Sequence, residues 1–525
     1  MFPCHNLAFC LAATLLFQVA AMAATNNPPG GLKLSRAFTH NAILQRGRSC
    51  PVFGRDLPGT KINVSFAGQK LNALAAADGH WRVDLAPLSV SSQPQALIAV
   101  GSSTLTLTNL LVGDVWLVSG QSNADWPLRL ATDGAVFIAS ATNHLIRYLQ
   151  MAESPTTTGA AWNPAQVARL NPEHYFTGLW QMDDSSTAGA VSAIGYFFAR
   201  QLATNLNVPI GLIDCAVGGT PTESWIPTEA LQANPRLAAM TRDFLASPMV
   251  GAFVKARLLQ NLADWDHAGR PAPMPEHPYT PGACWRFGLA DVAPFGIRGL
   301  LWYQGESNAD FSDPAEFDAM AAWHTDAFTT LVAGWRKAWE RDDLPVYVVQ
   351  LPQMNRPSWP WFRESQSRCA LTISNTALVV AYDLGDPNDV HPTNKRPVAE
   401  RLALIARALS YGEKTEWSGP LLRSWRVEGK SVVLEFDHTS GGLVAFDGPP
   451  LRHFEIAGAD RRFFPAEAII SGERVRVSAP EVPAPVAVRY AWSLAASLNF
   501  FNTAGLPTSP FRTDDWPAKS SPSKL

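Results

Sequence analysis

Residues 115–126 read VWLVSGQSNADW, an apolar run that stops at Gly120 and gives way at once to Gln121, Ser122 and Asn123. A short unbroken apolar run ending on glycine reads as a strand buried on both faces, the pattern of parallel sheets covered by helices. Four later runs have the same shape: PIGLIDCAVGG (209–219), IRGLLWYQGES (297–307), LPVYVVQLP (344–352) and TALVVAYDLG (376–385). Helical stretches separate them, among them SAIGYFFARQLATNL (192–206) and FTTLVAGWRKAWERD (328–342). In PVAERLALIARAL (397–409), Val398, Leu402, Ile405 and Leu409 share one face. Alternating strands and helices predict an α/β domain over 110–411 with helices on both faces of its sheet. Reactive groups in such sheets gather at the carboxyl ends of the strands, and Ser122 stands at one of them.

The flanks read differently. Between 32 and 109, KINVSFAG (61–68) and HWRVDL (80–85) alternate with period two around turn sequences RDLPG and AADGH, which predicts an N-terminal β-rich domain. SSTLTLTNLLVGDVWLV (102–118) reads as one strand leading into another. From 412 to 516, VVLEF, LRHFEIAG, RVRVSAP and VAVRYAW predict a C-terminal β-rich region, and 517–525 a disordered tail. Residues 1–23 have an apolar core followed by Ala21-Met22-Ala23, the pattern of a cleaved secretory signal, so the mature chain is expected in the periplasm or outside the cell. No later run reaches the roughly 20 apolar residues of a membrane span, so no stable membrane insertion is expected.

A chain of 525 residues with 47% hydrophobic and 17% charged residues is a folded protein of more than one domain. A net charge of −3 gives no reason to expect nucleic acid or an anionic membrane as a partner. Oligomeric state is not legible. Of six cysteines, Cys4 and Cys10 leave with the signal. Cys50, Cys215, Cys284 and Cys369 remain, with a spacing that fits no zinc motif; they read as buried thiols, one disulfide being open to an exported chain.

Ser122 is a nucleophile candidate if a base removes its proton and donors meet the oxyanion formed by attack on a carbonyl; otherwise it caps a helix. The base candidate is His391 in DLGDPNDVHPTNK, with Asp389 two residues before it to orient the imidazole. Gly218-Gly219 closes one run and Gln304, Gly305, Glu306, Ser307 and Asn308 close another. Gly219 N–H and the amides of Gln304 or Asn308 are oxyanion-donor candidates, and Glu306 is a supporting or substrate-binding carboxylate. No G-x-S-x-G elbow surrounds a well-placed serine, and there is no H-E-x-x-H.

SGQSN, GLIDCAVGGTPTESW, WYQGESNAD and DPNDVHPTNKRPVAERLAL together resemble the blocks of the SGNH (GDSL-like) hydrolase superfamily, specifically its sialate O-acetylesterase-like proteins. LSRAFTHNAILQRGRSCPVFGRDLPGTKINVSFAG and GGLVAFDGPPLRHFEIAGADRRFFPAEA extend the likeness to both flanks. The resemblance implies an SGNH-type three-layer α/β/α sheet domain between β-rich regions. It implies serine-esterase chemistry on acetylated sugars, sialic acids or plant-type polysaccharides such as xylan. Ser122 is then the nucleophile and His391 the base. Ser122 N–H, Gly219 N–H and an amide of Gln304 or Asn308 form the oxyanion hole, and Asn123, Glu306 and Trp126 support or bind substrate. Neither a metal nor an organic cofactor is implied. Three positions depart from the family's pattern. Ala124-Asp125-Trp126 replaces Met-Glu-Trp, and Asn388 stands where the superfamily has an aspartate three residues before the histidine. The third triad member is therefore either Asp389 or a backbone carbonyl. The rival reading is a noncatalytic sugar-binding protein, which 18 tryptophans would also suit.

Overall fold

The structure, a computed structural model, describes residues 31–518. The expected signal peptide and residues 519–525 of the expected tail lie outside the described residues. Ala518, assigned to that tail, is buried, and its N–H donates to Asp318 (3.0 Å).

Thr104–Gly120 is a single strand of 17 residues, β1, where two were expected. Its first part alternates exposed and half-buried residues and pairs antiparallel with Ser91–Val100; from Leu110 onward every residue is buried. Asn109, with φ of 61°, marks the change, a conformation asparagine tolerates better than most residues. The 109/110 division thus falls inside one strand that carries the chain from the N-terminal sheet into the central one.

Ile146–Gln150 (β2), Trp180–Met182 (β3), Ile210–Ala216 (β4), Gly299–Tyr303 (β5), Val346–Val349 (β6) and Thr376–Val379 (β7) complete the central sheet in the order β3-β2-β4-β1-β5-β6-β7. Every neighbouring pair is parallel except β3 with β2. The side-chain period of two divides the inner strands between two apolar clusters. Trp116 and Val118 of β1 join Leu301 and Tyr303 of β5 in one, while Val115 and Leu117 join Leu300 and Trp302 in the other. Ser122–Asp125 forms a short helix, α1, at the end of β1. Helices Ala193–Leu206 (α2), Ala252–Asn261 (α3), Phe317–Ala338 (α4) and Arg396–Ile405 (α5) follow. Helices α2 and α5 feed the first cluster, and α4 supplies Phe328, Leu331, Val332 and Trp335 to the second. Truncating a fully buried aromatic such as Trp302 or Trp335 to alanine costs about 3–5 kcal/mol in cores of this kind. Helix α5 passes into a π-helical turn at Ala406–Ser410, so the predicted apolar face ends at Ile405 and Leu409 is exposed.

Before β1, Lys33–Leu34, Cys50–Arg55 and His80–Leu85 form a small antiparallel sheet. After α5, Leu421–Glu428, Ser431–Asp437, Arg474–Ser478 and Glu467–Ser471 form a four-stranded antiparallel sheet. A second four-stranded sheet contains Phe454–Ala457 and Ala487–Tyr490, and the apolar core between them also takes in Val380 and Tyr382 just past β7. Cys50, Cys215, Cys284 and Cys369 are buried free thiols. Among the described residues no helix is long and apolar enough to cross a membrane.

Candidate active site

Strand β1 stops at Gly120 because no other residue fits there. Its φ is +138°, and a Cβ would sit 2.0 Å from the carbonyl oxygen of Tyr303. That close approach sets the ends of β1 and β5 side by side, with Gln121 N–H donating to Tyr303 O (3.1 Å). Ser122, the first residue of α1, leaves this turn half-buried. His391 comes from the loop between β7 and α5, and its Nε2 lies 2.8 Å from Ser122 Oγ. The imidazole stacks on Trp126, centroids 5.1 Å apart and planes at 22°. Burial, with a smaller push from the Lys395 ammonium, holds its pKa below the ordinary imidazole value, against the opposing pull of Asp389. A neutral imidazole within hydrogen-bond reach of a hydroxyl can take its proton.

Asp389 does not hold the ring. Its Oδ1 accepts the backbone N–H of His391 (2.8 Å), and the imidazole Nδ1 has no protein partner among the described residues. With only one residue between them, the carboxylate closes an Asx-type turn on the backbone and fixes the loop instead of the tautomer.

The peptide joining Gly218 to Gly219 is anchored from its oxygen. Gly218 O accepts Thr157 Oγ1–H (2.8 Å) and Tyr279 Oη–H (2.9 Å). In a planar trans peptide this turns the N–H of Gly219 the opposite way. Neither that N–H nor Ser122 N–H has an acceptor among the described residues, and Ser122 and both glycines line one cavity. Gly219 has φ of +75°, a backbone shape that favours glycine.

The amides of Gln304 and Asn308 do not join these donors, which corrects the sequence reading. Both side chains are buried away from the cavity lining. Gln304 Nε2 donates to Gln121 Oε1 (3.2 Å), Thr220 O (3.3 Å) and Asn308 Oδ1 (2.6 Å). Asn308 Nδ2 donates to both oxygens of Glu223 (3.2 and 3.0 Å). These amides satisfy a buried carboxylate and hold the β5 loop, as the cost of an unpaired polar group in a core demands. The amide the network leaves free is that of Gln121. Its Oε1 accepts from Gln304 Nε2, Gly305 N–H (3.4 Å) and Ser307 N–H (3.3 Å). Its Nε2 has no protein acceptor among the described residues, and Gln121 lines the cavity.

Glu306 and Asn123 lie behind the Ser122–His391 pair. Asn123 is fully buried; its Nδ2 donates to Glu306 Oε1 and to Val390 O (2.9 Å), and its Oδ1 accepts from Lys395 Nζ. Burial raises the pKa of Glu306, and its Oε2 carries no hydrogen bond among the described residues. Trp225, a neighbour of the site in sequence, is core: fully buried, with Nε1 donating to Thr220 Oγ1 (2.9 Å).

The cavity has a volume of about 290 Å³. Besides Gln121, Ser122, Glu306, Ser307 and His391 it is lined by Thr157, Phe253, Arg257, Tyr279 and Arg356. Arg356 pairs with Asp310 (3.2 Å). Arg257 donates to Thr157 O (2.7 Å) and Gln260 Oε1 (3.2 Å) and lies 5.1 Å from the centroid of Phe253, with no carboxylate partner among the described residues. These residues do not stand out in the sequence. Only Gln121, beside the serine, carried a local signal; the others come from loops and from α3, where composition marks nothing.

A family model described as "Carbohydrate esterase, sialic acid-specific acetylesterase" matches residues 112–242 and 283–405. The segment between them, 243–282, carries Phe253, Arg257 and Tyr279. The chain is similar to a carbohydrate acetylesterase from Xanthomonas citri of known structure, with 33% identity and a TM-score of 0.75, over 92% of this chain and 100% of that one. It is also 25% identical to the Homo sapiens sialate O-acetylesterase over 440 residues, 74% of this chain and 73% of the relative. The Rattus norvegicus sialate O-acetylesterase is 26% identical over 458 residues, 78% and 79% of the two chains. Matched along nearly its whole described length, the chain belongs to the sialic acid-specific acetylesterase family of carbohydrate esterases and is a carboxylic ester hydrolase.

Proposed function

We propose that this protein is a serine esterase that removes O-acetyl groups from sugars through an acyl-enzyme on Ser122. The observation that carries the reading is the 2.8 Å contact between Ser122 Oγ and His391 Nε2 beside the free N–H of Gly219. His391 takes the hydroxyl proton as Ser122 Oγ attacks the acetyl carbonyl carbon. The N–H groups of Ser122 and Gly219, with the Nε2 of Gln121, receive the oxyanion. Collapse of the tetrahedral intermediate breaks the ester C–O bond, and His391 returns its proton to the departing sugar oxygen. Water, deprotonated by the same imidazole, then attacks the acyl carbon; the bond to Ser122 Oγ breaks, Oγ takes the proton back from His391, and acetate leaves. Asp389 acts on the backbone of His391, so the reacting unit is a dyad with a fixed loop.

Acetylated sialic acids are the first substrate class, supported by the relatives' names. Acetylated polysaccharides such as xylan are the second. An SGNH-type three-layer arrangement between flanking β-rich regions, and export after cleavage at Ala23, complete the proposal. Acetate release from acetylated sialic acids and from acetylated xylan fragments, with Ser122→Ala as control, tests it. Hydrolysis that persists in that variant removes Ser122 from the mechanism, and absence of hydrolysis on both substrates removes both proposed substrate classes.

A further inference from the structure

Lys395 is 1% exposed, and its Nζ has one protein acceptor among the described residues, Asn123 Oδ1. A buried ammonium without a carboxylate in ion-pair contact is unfavourable, and its presence behind the Ser122–His391 pair calls for a role. Asn123 reads the lysine directly. With Oδ1 committed to the amine, Nδ2 must face Val390 O (2.9 Å) and Glu306 Oε1. Val390 immediately precedes His391, and Asn123 immediately follows Ser122. One amide thus joins the two loops that carry the reacting pair, and the lysine sets which way round that amide stands.

We propose that Lys395 is a positioning residue for His391, locking the imidazole loop onto the serine turn through Asn123. The inference rests on the reading of His391 as base. The groups around the amine are few. From the serine turn come Asn123 and the ring of Trp126 (5.5 Å), which also stacks on His391. From the end of β5 come the ring of Tyr303 (5.5 Å) and Glu306, whose charge Arg356 also feels. Its own loop contributes Asp389 and His391. Burial pushes the amine down to about 7, against the pull of Glu306 and Asp389. In either protonation state it donates to Asn123, so the lock holds across the working range. Below about pH 7 its charge also disfavours the imidazolium.

Lys395→Met fills the same volume without donor or charge. The expected result is a kcat lower by about 10- to 100-fold with KM little changed, the scale of a misplaced catalytic group. The acid limb of kcat/KM should move to higher pH, because loss of the cation lets the imidazole protonate more readily. Lys395→Arg, which keeps donor and charge, should leave the limb at the wild-type pH. Asn123→Ala combined with Lys395→Met should lose little more than either change alone, since both break one linkage. Thermal unfolding separates structure from positioning: relief of the buried charge and loss of the donor to Asn123 Oδ1 oppose each other, so Tm should change little. Wild-type kcat and an unmoved limb in Lys395→Met, additive effects in the double variant, or a kcat loss that tracks a falling Tm would each overturn the proposal. If His391→Ala keeps wild-type activity, the base assignment itself fails, a result distinct from any of these.

Discussion

Gly219→Ala is the most direct test of the oxyanion geometry. The residue has φ of +75°, and an alanine there is strained by about 1–3 kcal/mol. Strain is the smaller part. The new Cβ would stand 2.1 Å from Tyr279 Oη and 2.9 Å from Phe253 Cε1, inside any real contact distance, so the peptide or the tyrosine must move. Tyr279 is one of the two groups that anchor Gly218 O, and its displacement leaves Thr157 alone to hold the peptide plane that aims the N–H of Gly219. Loss of one oxyanion donor lowers kcat by about 10²–10³, or roughly 2.7–4 kcal/mol of barrier. Gly218→Ala is the control. Its Cβ would lie 3.7 Å from Ser122 Cβ and 3.9 Å from Thr157 Oγ1, ordinary contact, and the next N–H stays in place. That variant should keep kcat within about tenfold, or 1.4 kcal/mol of barrier. Initial rates of acetate release from a soluble acetyl ester, read beside Tm, give both numbers. Equal damage in the two variants, or wild-type kcat in Gly219→Ala, would refute the argument.

The remaining predictions concern the base and the cavity wall. His391 must be neutral to act, and burial lowers its pKa, so kcat/KM should fall on acidification with a midpoint below the ordinary imidazole value of about 6.5; a pH–rate profile with its midpoint above 7 contradicts this. Asp389→Asn keeps an Oδ1 acceptor for the His391 backbone N–H, so its kcat should fall less than about tenfold, against about 10⁴ where an aspartate holds the ring tautomer. Arg257→Leu removes a cavity cation that has no carboxylate partner, and kcat/KM should fall about 10- to 100-fold for acetylated sugars bearing a carboxylate but little for neutral acetylated xylo-oligosaccharides. Paired kinetics on the two substrates check it, and equal losses on both would assign Arg257 to the scaffold.

The parts of the molecule legible in the sequence are those whose cause is local. Strand β1 shows in VWLVSG because burial on both faces demands an unbroken apolar run, and its end shows because only glycine tolerates the contact with Tyr303. The serine was legible for the same reason, standing just past the end of β1, whereas the histidine lies well beyond the end of β7, in the loop that leads to α5. What escaped was set by partners distant in the chain. Gln304 and Asn308 are amides at a strand end, the composition expected of oxyanion donors, yet the carboxylate that claims Asn308 is Glu223, 85 residues away.

The same distinction bears on the orienting group for His391, which the sequence leaves open between Asp389 and a backbone carbonyl. Sequence proximity suggests Asp389, but a carboxylate two residues away reaches its neighbour's backbone more easily than its ring, and the loop closes on the N–H. Control of the imidazole passes instead to groups that sequence does not bring near it: Trp126 beneath the ring and Asn123 holding the preceding carbonyl. Both lie within four residues of Ser122. The turn that carries the hydroxyl therefore also contacts the loop that carries the imidazole, which couples the two ends of the proposed proton transfer. Such coupling predicts that changes at Asn123 or Trp126 act on kcat before KM, because they disturb the transfer geometry while leaving the cavity wall of Phe253, Arg257 and Tyr279 in place.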